Sequence, residues 1–528
     1  MAHARIESDS IGSLEIPENV YYGVQTERGC RNFDITGIKM NGRFIKNIVR
    51  IKKAAAIVNA KAGSISESTA EAIVKACNEA LSGKFDADFV TDAIQGGAGT
   101  TVNMNVNEVI ANRATELLGG KKGEYLCHPN DHVNCSQSTN DVIPTAGKMT
   151  VIEFSEELKK TLTSLIESLE TKAREFDDVI KMGRTQLEDA VPIRLGQEFK
   201  AYASGIGRNL RLIEKSLNEM RTVNIGGTAI GTAINVKKEY LDGIVPELNK
   251  ETGYNLKQAE DLIDATQNTD GFVYVSGTLK TLAVTLSKMC NDLRLLASGP
   301  KTGLEEIILP AKQNGSSIMP GKVNPVIPEV VSQVAFSVIG NDTAITLAAE
   351  AGQLELNAFE PVIFYKLFES LHTLNNAVKT LVTNCIEGIQ VNRERCAALV
   401  YESVGTVTAL NPYIGYKKAA ELAKEAFQRL GYQPKFENIV WEDKDELLAD
   451  GTIDCLWSSY SMNGREDKYQ WAGPYLYSRQ MVVVKAESEI QTLQDLKGKR
   501  IAVQATTKAE DLFLHNIASD LPQMEQVN

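Results

Sequence analysis

The feature that most constrains this chain is an apolar repeat with alternating three- and four-residue steps, sustained over several long segments. In residues 197–220 the positions Phe199, Tyr202, Ile206, Leu210, Ile213, Leu217 and Met220 keep this step. Residues 271–297 do the same with Val275, Leu279, Leu282, Leu286, Met289, Leu293 and Leu296, and residues 148–175 carry a similar stripe. A period near 3.5 residues holds an apolar seam on one side of a helix, so these segments predict long, near-parallel helices packed as a bundle. Read plainly, the stripes are core and require no cofactor. Several are too continuous to be covered by one chain, which predicts that subunits share the bundle.

At 528 residues the chain exceeds one ordinary core, which predicts two to four domains or a main body with appendages. A hydrophobic fraction of 43% and a charged fraction of 23% are ordinary for a soluble globular protein. The net charge is −12 and there is no basic stripe, so nucleic acid is not an expected partner. An acidic surface weakly repels an anionic substrate, so any site for one must be locally positive. The first residues show no apolar signal-peptide core, and no stretch reads as long enough to cross a bilayer, so a cytoplasmic location is expected. Eight scattered cysteines without a CxxC pair, and only five histidines, argue for reduced thiols and against a zinc site.

Between the helical stretches lie short polar segments: GGAGTTVNMN at 96–105, HVNCSQSTND at 132–141, GRTQLEDA at 183–190 and GSSIMPGKVNP at 315–325. Loops of this kind on rigid helices are where small-molecule chemistry is usually placed. In the last segment Gly315 and Gly321 permit unusual backbone angles, and Pro320 and Pro325 restrict the chain. Ser316, Ser317, Lys322 and Asn324 lie between them, a set that suits a lid closing over an acid. A Ser/Lys nucleophile pair and a simple surface turn are the alternatives for that segment alone. Thr100, Thr101, Ser138, Thr139, Asn140, Thr185 and Gln186 add hydroxyls and amides. Singly, each is more often a helix cap or turn residue; four clusters of one chemistry indicate an anion site built from neutral donors.

In order, over about residues 5–425, these segments resemble the aspartase/class II fumarase superfamily, whose signature is GSSIMPGKVNP. IPENVYYGVQT, QGGAGTTVNMNVNEVIANR and NDLRLLASGP are similar to the aspartase/fumarase branch. Gln186, where fumarases typically carry histidine, and the continuation KVNPVIPEVVSQV favour the aspartase side, with class II fumarase as the runner-up.

The resemblance implies a mainly α fold, a long-helix bundle of the aspartase/fumarase type. Its segments would be 1–140 (N-terminal domain), 141–393 (central bundle) and 394–426 (start of the small C-terminal lyase domain). The implied reaction is reversible elimination of ammonia from L-aspartate to fumarate through an aci-carboxylate. Ser316 would be the general base, with Ser317 and Lys322 beside it in the catalytic loop. Thr100, Ser138, Thr139 and Ser317 would hold the β-carboxylate; Thr185, Lys322 and Asn324 the α-carboxylate; Asn140 and Gln186 the amine. No metal or redox cofactor is implied, beyond activation by a divalent cation. The implied assembly is a homotetramer whose active sites draw on three subunits.

After about residue 427 the character changes. Trp441, Trp457 and Trp471 are the only tryptophans, and strand-like runs occur at 480–485 and 500–504. The pattern GTIDCLW, GREDKY, GPY and DLKGK resembles part of a bacterial amino-acid-binding protein, so 427–528 is expected to be a partial α/β segment of the periplasmic-binding-protein type. By that resemblance Arg465 would bind a ligand α-carboxylate, as a vestigial amino-acid site. The segment lacks most of a second lobe, which leaves a structural remnant, a catalytically impaired fusion or an amino-acid-sensing module as its readings.

Overall fold

The computed structural model describes residues 4–403 and scattered residues of a helical stretch between 415 and 425. Arg465, the three tryptophans and the expected strands at 480–485 and 500–504 lie outside the described residues. The chain opens with a hairpin, β1 (Ala4–Asp9) and β2 (Gly12–Pro17), then α1 (Val24–Asn32), α2 (Gly42–Lys61), α3 (Glu67–Leu81) and α4 (Thr100–Leu117). The bundle follows: α5 (Thr139–Glu175), a hairpin of β3 (Ile180–Thr185) and β4 (Glu188–Arg194), and α6 (Leu195–Met220). Next come α7 (Lys238–Thr252), the single turn α8 (Asp264–Gln267), α9 (Asp270–Leu296), α10 (Val326–Glu350), α11 (Glu360–Asn384) and α12 (Arg393–Glu402). Every sheet among the described residues has two strands. The protein is mainly helical, as the apolar period predicts.

The stripe at 148–175 belongs to a longer helix than its apolar pattern suggests. α5 begins nine residues earlier, where Ser138 and Asp141 form a reciprocal capping box. Pro144 lies inside that first stretch. A proline has no N–H for the carbonyl four residues back; here that carbonyl, of Asn140, accepts instead from Asn224 Nδ2 at 3.0 Å. The polar side chain replaces the missing bond and lets the helix continue.

Side-chain contacts fix the direction of each bundle helix. Lys148 Nζ, near the start of α5, donates to Thr222 O just past the end of α6, at 2.6 Å. Asn224 reaches Thr266 Oγ1 just before α9, at 3.0 Å. Asn357, between α10 and α11, reaches Thr269 Oγ1 at 3.2 Å. At the far end, Lys172 Nζ donates to Ile389 O beyond α11, at 2.9 Å, and Arg184 of β3 reaches Glu306 beyond α9, at 2.9 Å. Thus α5, α9 and α11 run one way, while α6 and α10 return. The start of α5 and the turn after α10 share one end of the bundle. The β3–β4 hairpin and the segment leading into α10 share the other.

The sequence reading finds no stretch fit to cross a bilayer, yet α10 reaches that length and composition, with a mean hydropathy of 1.2 over its most apolar window. It is a bundle helix with Asn341 and Asp342 buried on its packed side; Asp342 accepts from Ser276 and Lys280 at 2.7 and 2.6 Å. Its opposite face exposes Val330, Phe336 and Leu347, alongside Gln333, Ser337, Gly340 and Thr343. The stripes singled out in the sequence are instead mostly buried within this chain, as at Phe199, Ile213, Leu279 and Leu286.

Candidate active site

Two helix N-termini meet at one end of the bundle. Gly97, Ala98 and Gly99 all have positive φ, which turns the chain sharply into α4. A Cβ on Gly99 would lie 3.1 Å from Ile143 of α5, so the two helix starts are in close contact. Asn103 Nδ2 ties them together by donating to Thr139 Oγ1 at 3.2 Å. The aligned peptide dipoles and free N–H groups of a helix start attract anions, and Thr100, Thr101, Ser138, Thr139 and Asn140 all stand there. Thr100 Oγ1 donates to Gly97 O at 2.7 Å, so it must rotate to grip a ligand. Ser138 Oγ accepts from Asn140 N at 3.2 Å. Asn140 Nδ2 donates to Ala229 O at 2.7 Å, and its Oδ1 takes no hydrogen bond among the described residues.

Beneath this floor is a buried polar cluster that the sequence reading does not single out. Lys52 Nζ donates to Asn134 Oδ1 at 2.8 Å, an oxygen that also accepts from Asn103 and Asn107 at 3.2 Å each. Burial pushes the Lys52 amine down to about 7 from its ordinary 10.5. Burial likewise raises Asp141 to about 6, against the backbone N–H groups of Ser138, Gly226 and Thr228 that favour its charged form. Lys52 places an amine behind the helix starts that carries positive charge only below pH about 7; its only sequence signal is a lysine within the apolar run of α2.

The Lys52 shift carries a sign. The folded state binds fewer protons than the unfolded one between pH about 7 and 10.5, so this lysine's contribution to stability rises with pH across that window. The limit is about 1.4 kcal/mol per pH unit. Asp141 acts oppositely and lower, its contribution falling as pH rises from 3.8 to about 6. Thermal melts of wild type and Lys52→Met between pH 7 and 10 should show a steeper rise in Tm for wild type; parallel curves would refute this role for the lysine.

The other candidates lie at the opposite end. Thr185 and Gln186 stand at the tip of the β3–β4 hairpin, exposed. Its two-residue turn puts Gln186 at φ 54° and Leu187 at φ 69°. Hairpin turns favour that geometry but normally use Asn-Gly; non-glycine residues held there store about 1–3 kcal/mol each.

The 315–325 loop is pinched at its neck by an antiparallel bridge between Asn314 and Val323. Gly315 N donates to Lys322 O at 2.7 Å, and Asn324 Nδ2 donates to Gly315 O at 2.9 Å. Gly321 adopts φ 81°, as its expected freedom allows. Gly315 is needed for another reason: it lacks a positive φ, but a Cβ there would sit 2.6 Å from Asn324 Cγ. Within the loop Ser316 Oγ accepts from Ile318 N at 3.2 Å and Met319 N at 3.0 Å. Two N–H donors on one hydroxyl oxygen favour its charged form. Lys322 is exposed and forms no ion pair among the described residues, while Ile318 is 82% exposed at the loop tip.

One chain therefore gathers the candidates into two sets. Thr100, at the start of α4, and Ser138, Thr139 and Asn140, at the start of α5, form one set; Thr185, Gln186, Ser316, Ser317, Lys322 and Asn324 are beyond the far end of α5. The 37 residues of α5 separate them by about 55 Å at 1.5 Å per residue. Among the described residues no group of three or more His, Cys, Asp or Glu is placed to hold a metal.

Residues 12–340 match the family described as Lyase. An aspartate ammonia-lyase of Helicobacter pylori is 54% identical over 427 residues, covering 80% of this chain and 91% of its own. The chain belongs to the aspartate ammonia-lyase family. A fumarate lyase:delta crystallin structure from Brucella melitensis has the family's fold at a TM-score of 0.79 and 49% identity, covering 82% of this chain and 94% of that one. A class II fumarase of Schistosoma mansoni gives a TM-score of 0.78 at 36% identity, covering 84% and 98%. The family relationship accounts for the bundle and for the signature loop together. Residues 404–527 match a different family, the bacterial extracellular solute-binding proteins, family 3. The match begins just beyond α12.

Proposed function

We propose that this lyase eliminates ammonia from L-aspartate to give fumarate. Ser316 carries the reading: its oxygen accepts two backbone N–H groups inside the superfamily's signature loop. As an alkoxide it would take the proton from Cβ, and the electron pair would pass into the β-carboxylate as an aci-carboxylate. The Cα–N bond then breaks, and ammonia leaves. The hard part is the second negative charge on that carboxylate. Thr100, Ser138, Thr139 and Ser317 would take it up, with the two helix starts behind them, each aimed donor contributing about 2.7–4 kcal/mol in comparable sites. Thr185, Lys322 and Asn324 would hold the α-carboxylate. Asn140 Oδ1 and Gln186 would accept from the ammonium, which favours an amine over a hydroxyl substrate. The reading requires no metal or redox group, and a divalent cation would act as an activator.

Because one chain keeps its candidates at opposite ends of α5, the reading also requires other copies to complete each site, as in a homotetramer. The exposed face of α10 is where a second helix layer would pack. Incubation with saturating L-aspartate should raise ultraviolet absorbance as fumarate forms. No change with aspartate, or conversion of L-malate alone, would overturn the reading, the second in favour of a class II fumarase.

The match of residues 404–527 to solute-binding proteins supports a subsidiary reading of the tail as an amino-acid-binding remnant, with Arg465 on a ligand α-carboxylate. Calorimetry of the full chain against an amino-acid panel, compared with Arg465→Met, tests it; identical heats would remove Arg465 from that role.

A further inference from the structure

Glu306 is fully buried, in the segment between α9 and the signature loop. Its Oε2 accepts from Arg184 Nη1 at 2.9 Å and lies 3.1 Å from Lys181 Nζ. Lys181 is itself buried and also pairs with Glu198 of α6 at 2.8 Å. The four charges balance, two of each sign. Both cations belong to β3, and Arg184 immediately precedes Thr185. A bulge between Met182 and Arg184 breaks the hairpin register, and Gly183 lies so close to β4 that a Cβ would meet Val191 O at 2.7 Å. Bulges re-aim side chains: here Arg184 turns inward to Glu306 while Thr185 and Gln186 stay exposed. The main chain of Glu306 is pinned as well. Its N–H donates to Leu296 O at 2.9 Å and its carbonyl accepts from Asn392 N at 3.0 Å. The next residues, Ile307–Ile308, pair with Gln390–Val391, and the chain then enters the loop that holds Ser316.

We propose that Glu306 is a positioning residue for substrate binding. Through Arg184 and Lys181 it fixes the hairpin that presents Thr185 and Gln186 to the same rigid segment that roots the catalytic loop. The inference rests on the aspartase reading for the roles of those two residues, though the clamp itself stands on geometry. A charge with this much burial is strongly coupled to its partners; removing it leaves Lys181 and the half-buried Arg184 with Glu198 as their one remaining counter-charge, a net positive charge in an enclosed cluster. The strained turn at Gln186 and Leu187 then loses the anchor that ties it to the segment rooting the loop.

Glu306→Gln in the full chain should raise KM for L-aspartate at least tenfold and change kcat by less than threefold, because the hairpin holds ground-state groups and not the Cβ proton. Hydrogen exchange at the amides of residues 185–188 should speed up with or without substrate. Arg184→Lys, which keeps the charge, should fall between wild type and Glu306→Gln, and serves as the readable variant if Glu306→Gln fails to fold. In a Gln186→Ala background the Glu306 effect on KM should shrink. An unchanged KM, an additive double variant, or a loss confined to thermal stability would overturn the proposal. Absence of aspartate turnover by wild type would instead overturn the function reading, and hairpin exchange would still decide whether the clamp exists.

Discussion

Ser316→Ala should lower kcat for fumarate formation from L-aspartate by about 10²–10⁴-fold, the range for loss of a positioned general base. The variant should otherwise be intact. Ile318 and Met319 are exposed, so their N–H groups, which now donate to Ser316 Oγ, can turn to water; the net loss is about 1 kcal/mol. The loop neck does not depend on the serine, since it is closed by the Asn314–Val323 bridge and by Asn324. The expectation is an enzyme with a wild-type melt, a little-changed KM and almost no turnover. Activity within tenfold of wild type would remove Ser316 from the role of base and return the loop to its alternatives.

The second large effect is recovery from nothing. Thr139 opens α5 and Ser316 lies beyond its far end, so on the shared-site reading they serve one reaction from different chains. Homo-oligomers of Ser316→Ala and of Thr139→Val should each be nearly inactive. Co-expressed in equal amounts, they should regain about a quarter of wild-type activity, because random mixing gives that fraction of sites both intact residues. If a single chain supplied both residues, every site in the mixture would remain defective. Recovery near zero with mixed oligomers confirmed by mass would therefore exclude shared sites.

The bundle was legible because its seams are repetitive. Leu279, Leu282, Leu286 and Leu293 can be read only as the inside of a helix, and all four are buried. The start of α5 was not legible, since Asp141, Pro144 and Thr145 interrupt the apolar pattern although all three are buried; a capping box and the Asn224 side chain replace what the pattern lacks. Most candidate site residues could be picked out because hydroxyls and amides cluster in short loops. Their division between two ends of the molecule could not, for loop composition holds no record of helix direction. Buried charge was equally hidden. Lys181, Arg184 and Glu306 sit among polar neighbours in KMGRTQ and GLEEI, where surface residues look the same; only packing shows that they are enclosed.

The length of α5 has a further consequence, for how output depends on the amount of protein. On the shared-site reading a lone chain would bear two half-sites that cannot reach one another, so newly made chains would be chemically silent until they meet. Turnover would then rise more steeply than in proportion to concentration when the enzyme is scarce, and become proportional once assembly is complete. Progressive dilution of the purified protein would expose such a threshold as a falling specific activity. Any passenger sequence carried after α12 is held to one condition on this view: it must not hinder the encounter between chains.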